Sequence, residues 1–111
     1  MMIDWGRVQD LRDEIGADAF AEVVELFLDE VDTEIGKLRL PNAGQNLEAL
    51  LHFLKGSALN LGFTAFADLC HSGERAAAMG AGASVDLTAV LDCYAHSKSE
   101  FVAGLDRVIA A

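Results

Sequence analysis

The chain has 111 residues, 52% hydrophobic and 23% charged: enough apolar material for one modest core, too much for a disordered acidic tail. Eighteen Asp and Glu against eight Lys and Arg leave a net charge of −10. That excess excludes nucleic acid as a partner and disfavours anionic membrane surfaces, since both require clustered Lys and Arg.

A single proline and few consecutive β-branched residues point to helices throughout. Trp5, Val8, Leu11 and Ile15 predict a short first helix ended by Gly16. Phe20, Val23, Val24, Phe27, Leu28, Val31, Ile35 and Leu38 recur at intervals that put them on one stripe of a long second helix. Asp18 is its expected N-cap, and Pro41, Asn42 and Gly44 its stop. A third helix begins near Gln45, with Leu47, Leu50, Leu51, Leu54, Ala58 and Leu61 inward and Gly62 closing it. Thr64 is expected to cap a fourth, with Phe66, Leu69, Cys70 and Ala77 inward, ending in the Gly80–Ala83 stretch. Asp86 caps a fifth, in which Leu87, Val90, Leu91, Tyr94, Phe101, Leu105, Val108 and Ile109 repeat at helical spacing.

Long amphipathic helices joined by short connections bury their stripes best side by side. The expected fold is therefore all-α: an antiparallel four-helix bundle with a short additional N-terminal helix lying across one end. Residues 1–111 read as one domain, without repeat or linker.

The charge is uneven. Residues 1–34 hold eleven acids and two bases, whereas residues 35–111 hold seven and six. A run such as Asp29, Glu30, Asp32 and Glu34 is most simply a solvated helix face. Cys70 and Cys93, with no CxxC pair, read as reduced core thiols. The start, Met1 to Arg7, lacks the apolar stretch of a signal peptide, and no run approaches the ~20 apolar residues of a membrane helix. A cytoplasmic protein is expected, and Met1 with a compact ending favours a free-standing one.

The segment His52-Phe53-Leu54-Lys55-Gly56-Ser57 stands apart from generic bundle sequence. The apolar stripe that buries the third helix turns His52 outward, with Glu48, Lys55 and Gly56 on its side. A glycine inside a helix costs about 1 kcal/mol relative to Ala and asks for a compensating reason. At Gly56, one turn from His52, it leaves the imidazole an open flank that a second protein can approach. Lys55 at i+3 can bring its ammonium to a group attached to the ring. A neutral imidazole is a competent nucleophile, and phosphoryl transfer is governed mainly by positioning and charge stabilisation. The sequence carries no GxxxxGK[ST] and no Gly-rich kinase loop, so a phosphate donor would have to arrive on another protein.

His52-x-x-Lys55-Gly56-Ser57-Ala58-x-Asn60-Leu61-Gly62 resembles the signature of histidine-containing phosphotransfer (HPt) domains. The likeness continues through Leu69, Cys70, Glu74 and the Ala76–Gly80 stretch, and covers nearly the whole chain. It implies that His52 is the phosphorylated residue, Lys55 the phosphate-facing cation and Gly56 the close-approach position, with Ser57 bracing the helix. It also implies that Glu74, on the following helix, accepts a hydrogen bond from one ring nitrogen and orients the other. The implied partners are receiver domains of a hybrid histidine kinase and a response regulator. Mg²⁺ would be theirs; no cofactor or metal site is expected on this chain, which should act as a monomer without an enzyme's nucleotide site. Gly73 departs from the family pattern, where a bulky apolar residue is usual, and suggests close packing against a large neighbour such as a Phe.

Three side expectations complete the reading. His71 and His96 are structural or surface residues, and Ser97, Ser99 and Thr88 form no triad with them. Val8, Leu11, Ile15 and Phe53 are candidates for a partly exposed docking surface, against the plainer reading of helix-on-bundle packing. The acidic flank is expected to select partners by charge. The competing functions are a non-phosphorylated helical adaptor that binds receiver or kinase domains through the same face, and a metal-assisted enzyme, for which clustered ligands are lacking.

Overall fold

A computed structural model describes residues 2–40 and 43–110. Its helices are α1 (Trp5–Ile15), α2 (Ala17–Lys37), α3 (Leu47–Leu61), α4 (Thr64–Ala78) and α5 (Leu87–Ala110), with short 3-10 turns at Ala43–Asn46 and Gly82–Ser84. The fold is all-α, as the periodicity predicts. Among the described residues the only extended pairing is one isolated antiparallel bridge, Ile3 with Phe63.

The stripes read from the sequence are the faces that pack. Phe20, Val24, Val31 and Ile35 of α2 are buried, as are Leu47, Leu50, Leu51, Leu54, Ala58 and Leu61 of α3. Phe66 and Cys70 of α4, and Val90, Tyr94, Phe101 and Val108 of α5, close the same core. Each large apolar side chain so enclosed contributes roughly 1.5–3 kcal/mol relative to exposure.

Side-chain contacts give the helix directions. Gly73 lies against Leu51 and Glu74 against His52, so α4 runs back along α3 after a two-residue turn. Phe66 meets Tyr94 and Phe63 meets Phe101, with ring centroids 5.3 and 5.1 Å apart, so α5 reverses again. A groove lined by Glu34, Lys37, Leu50 and Phe53 sets α2 antiparallel to α3. The result is an up-down-up-down bundle of 45 × 23 × 21 Å.

The caps differ in part from expectation. Gly16, at φ 98°, both ends α1 and starts α2: its N–H donates to Arg12 O at 2.8 Å and its carbonyl accepts from Phe20 N–H at 3.0 Å. Because the chain turns on this left-handed residue, Asp18 falls inside the first turn of α2 and does not cap it. Thr64 likewise is the first residue of α4, behind a Phe63 cap, and its hydroxyl donates to Gly62 O at 3.4 Å. Asp86 does cap α5, accepting from Ala89 N–H at 3.1 Å, and Asp4 caps α1 through Arg7 N–H at 3.2 Å. The stop assigned to Pro41 and Asn42 lies outside the described residues.

Gly62 ends α3 at φ 79°, and Phe63 N–H returns to Ala58 O at 2.8 Å. A Cβ here would stand 2.7 Å from Asp4 O, because the N-terminal segment presses onto the turn, donating Asp4 N–H to Gly62 O at 2.7 Å. So α1 lies at the end of the bundle that carries the α3–α4 turn. Trp5 stacks on Phe101 at 6.0 Å, and Arg12 donates to Val108 O at 2.6 Å. This placement corrects one expectation: Val8 and Leu11 are buried in the core, and Ile15 is half-buried, so α1 offers its apolar face to the bundle and not to a partner.

Cys70 and Cys93 are free thiols, the first buried and the second half-buried. Burial, with Cys93 and Glu74 nearby, pushes the Cys70 thiol up to about 12. No helix among the described residues is long and apolar enough to cross a membrane.

Candidate functional site

With Leu50, Leu51 and Leu54 buried, α3 has no choice but to present His52 to solvent, where its side chain is 70% exposed. Glu74 reaches it from α4. Its Oε1 lies 2.7 Å from His52 Nδ1, while its Oε2 lies 2.7 Å from Lys55 Nζ. One carboxylate therefore spans the imidazole and the ammonium that follow each other along α3. Hydrogen bonds from Lys55 and then from His52 outweigh partial burial and hold the Glu74 carboxyl below the usual carboxylate range.

That charge state decides the histidine's chemistry. An ionised carboxylate only accepts, so the ring nitrogen facing it must donate. In the neutral ring Nδ1 then carries the proton and Nε2 keeps a lone pair.

The remaining expected residues are distributed around this core. Lys55 is half-buried and tied to Glu74, where spacing alone suggested an ammonium reaching a group attached to the ring. Gly56 is exposed, and a Cβ added to it would meet nothing within 4 Å. The bundle does not need a glycine there; its effect is a flat, open flank beside His52. Ser57 is half-buried, and its hydroxyl makes no hydrogen bond among the described residues. Phe53, next to the histidine, is 40% exposed.

Gly73 is the contributor that sequence reasoning undervalued. A Cβ on it would lie 2.8 Å from Leu51 Cδ1 and 3.4 Å from Val85 Cγ1, so the large neighbour is Leu51 and not a Phe. Leu51 precedes His52 and Gly73 precedes Glu74. The missing side chain thus sets α3 and α4 close enough for the carboxylate to reach its two partners. The available signal was a helical glycine immediately before the acid.

His71 and His96 are exposed and stand apart from this constellation. Ser97 is fully buried and donates to Met2 Sδ at 3.4 Å, not to any histidine. Among the described residues no three His, Cys, Asp or Glu gather as metal ligands. A cleft of about 1130 Å³ opens beside the site, with His52 and Glu74 on one edge and Glu48, Ala49, Ala77 and Val85 along it.

No curated protein and no solved structure matches the chain. The family model described as "Hpt domain" matches residues 22–111, which include α3, α4 and every residue of the His52–Glu74–Lys55 constellation. An outward histidine on a bundle helix, paired across to the next helix, is the setting in which that match falls: the chain belongs to the Hpt domain family, whose members carry phosphoryl groups on histidine in phosphorelays.

Proposed function

We propose that His52 is the phosphoryl acceptor, taking the group from a receiver-domain aspartate and passing it to another receiver. The observation that carries this reading is the 2.7 Å contact of Nδ1 with Glu74 on an imidazole that is otherwise exposed. Nε2 attacks the aspartyl phosphate; its lone pair forms the P–N bond as the P–O bond breaks, and the aspartate leaves as carboxylate. The ring keeps its Nδ1 proton and becomes cationic, and Glu74 stabilises that charge. Reversal of the same steps delivers the group onward. The Lys55 ammonium, one turn along, faces the phosphoryl oxygens, and Gly56 lets the donor's active site close in.

Mg²⁺ serves this reaction from the receiver's side, with no cofactor on this chain, which works as a monomer, as one unit over residues 1–111 and in the cytoplasm. The chain carries the group without binding a nucleotide.

Incubation with a phosphorylated receiver domain should leave an acid-labile, base-stable label on the protein. Retention of that label by His52→Gln would overturn the assignment. Tight receiver binding with no label on the wild type would favour the adaptor instead.

A further inference from the structure

We propose that Glu48 tilts the transfer equilibrium: its carboxylate, one turn before His52 on the same side of α3, raises the free energy of the phosphorylated ring and so favours departure of the group to a receiver. This rests on the reading of His52 as phosphoacceptor and goes beyond it in naming the residue that sets how readily the group leaves.

Side chains on a helix lean toward its N-terminus, so the imidazole of His52 lies over the turn that holds Glu48 and Ala49. Glu48, Ala49, His52 and Glu74 accordingly line one cleft. Residues four apart on a helix stand about 5–6 Å from each other at Cβ. Glu48 is exposed and makes no hydrogen bond or ion pair among the described residues.

No cation offsets it. Of the residues that line the cleft, only Glu48, Glu74 and His52 can carry charge, and the stretch beyond α4 contributes Gly82, Ala83, Val85 and Leu87. Lys55 is held by Glu74 at 2.7 Å. Lys37, which shares a groove with Ala49 on the α2 side, is held by Glu34 at 2.8 Å. With a neutral imidazole the surroundings of the ring therefore balance except for Glu48. Transfer moves the phosphoryl group from the aspartyl oxygen to Nε2 and brings close to two negative charges beside that carboxylate. Lys55 turns toward the new group only by loosening its hold on Glu74. Two unit charges about 6 Å apart in water shift an equilibrium about threefold. A dianion beside Glu48 is thus disfavoured by up to about tenfold, and by about threefold once physiological salt screens the pair. The aspartyl phosphate on the separate receiver feels none of this, so the equilibrium tilts away from His52. Glu48 also sits in the first turn of α3, where an acid favours the helix dipole. That contribution is common to the phosphorylated and free protein and cancels from the transfer equilibrium.

The test mixes the wild type with an affinity-tagged variant and a trace of a receiver domain that labels the wild type, and follows the label until its two shares are constant. This partition depends on the free and phosphorylated states of the two proteins and not on how either one docks. Glu48→Gln should hold about three- to tenfold more label than the wild type at low ionic strength, and less than about twofold more in about 1 M salt. Glu48→Lys should move the partition about twice as far on a logarithmic scale. Asp106→Asn, which removes an exposed acid at the far end of the bundle, should share the label evenly. An even split with Glu48→Gln, a preference that salt leaves intact, or an equal preference in Asp106→Asn would overturn the role of Glu48. A second readout needs no receiver. On protein labelled with phosphoramidate, a small donor that needs no docking face, phosphorus NMR follows the second ionisation of the phosphoryl group. Its midpoint should lie about 0.3–0.5 pH unit lower in Glu48→Gln, and an unmoved midpoint would overturn the proposal as well. Label surviving His52→Gln would instead overturn the phosphoacceptor reading.

Discussion

Two donors compete for Glu74, and the balance between them sets what His52 can do. His52 Nδ1 and Lys55 Nζ both stand at 2.7 Å from its oxygens. Glu74→Gln keeps an acceptor but removes the charge that stabilises a phosphorylated, cationic ring, so phosphoramidate labelling of His52 should slow by about tenfold or more. Glu74→Ala should slow it further, because the ring then rotates freely. The pH dependence has a definite sign. A carboxyl held below its unfolded value, near about 4.3, contributes stability above that pH and loses it as pH falls through the folded value. In urea melts the stability of the wild type should fall along that acid limb, and this part of the fall should be absent from Glu74→Gln. An unchanged acid limb of stability in the variant would remove Glu74 from the groups that tie α4 to α3. Gly56 is the opposite case, a residue the fold tolerates and does not need. With open space around its missing Cβ, Gly56→Ala should stabilise the protein by about 0.5–1 kcal/mol in a urea melt. Gly56→Leu should slow transfer from a receiver far more than transfer from phosphoramidate, since only the receiver must approach closely.

At the scale of elements, the α3–α4 pair acts as the unit that builds the site. Gly73→Ala would push a methyl to within 2.8 Å of Leu51, a side chain fully enclosed in the core. Overpacking of this kind costs about 1–3 kcal/mol, against about 1 kcal/mol gained in helix propensity. The expected net effect is a lowered melting temperature together with slower labelling of His52 as the helices separate. Leu51→Val should partly rescue both in the double variant, which a double-mutant cycle would read directly; strict additivity would mean the two residues do not share this space. The same pair shows what the sequence could and could not disclose. Helix identity was legible because apolar spacing is a local, one-dimensional property, and His52, Lys55 and Gly56 were legible because they lie within one turn of each other. The starts of α2 at Gly16 and of α4 at Phe63 were not, since they depend on backbone dihedrals that the polar neighbours Asp18 and Thr64 only imitate. The double hold of Glu74, the Leu51–Gly73 contact and the burial of Val8 and Leu11 join residues remote in sequence. Periodicity says which way a side chain points but not what stands opposite.

Across the whole molecule, the charge of −10 separates into groups with different work. Asp32 lies in the acidic run of α2, yet it does not belong with Asp29 and Glu30: it accepts from Tyr94 Oη at 2.6 Å and Lys98 Nζ at 2.7 Å, tying α2 to α5. Burial raises its carboxyl, but the bonds from Lys98 and Tyr94 and the Lys98 charge prevail and hold it below the usual range. Burial and the same Asp32 bond push the Tyr94 phenol up, so it remains a donor. Reversing Asp32 along with its neighbours would therefore confuse partner choice with bundle integrity. Protonating Asp32 removes an interhelical tie whose contribution is present above about pH 4 and is lost as pH falls below it. Because the pair is partly exposed, that contribution is at most about 1 kcal/mol. In urea melts from pH 6 to 3, Asp32→Asn should therefore start less stable than the wild type and converge on it toward the acid end. A Glu25→Gln, Glu30→Gln double variant, which removes the same-sign pairs with Asp29 and Glu34, should be more stable than the wild type at pH 6. Parallel curves for Asp32→Asn and the wild type would remove Asp32 from the forces holding α2 against α5, and leave Lys98 and Tyr94 with only each other's apolar neighbours to explain their place.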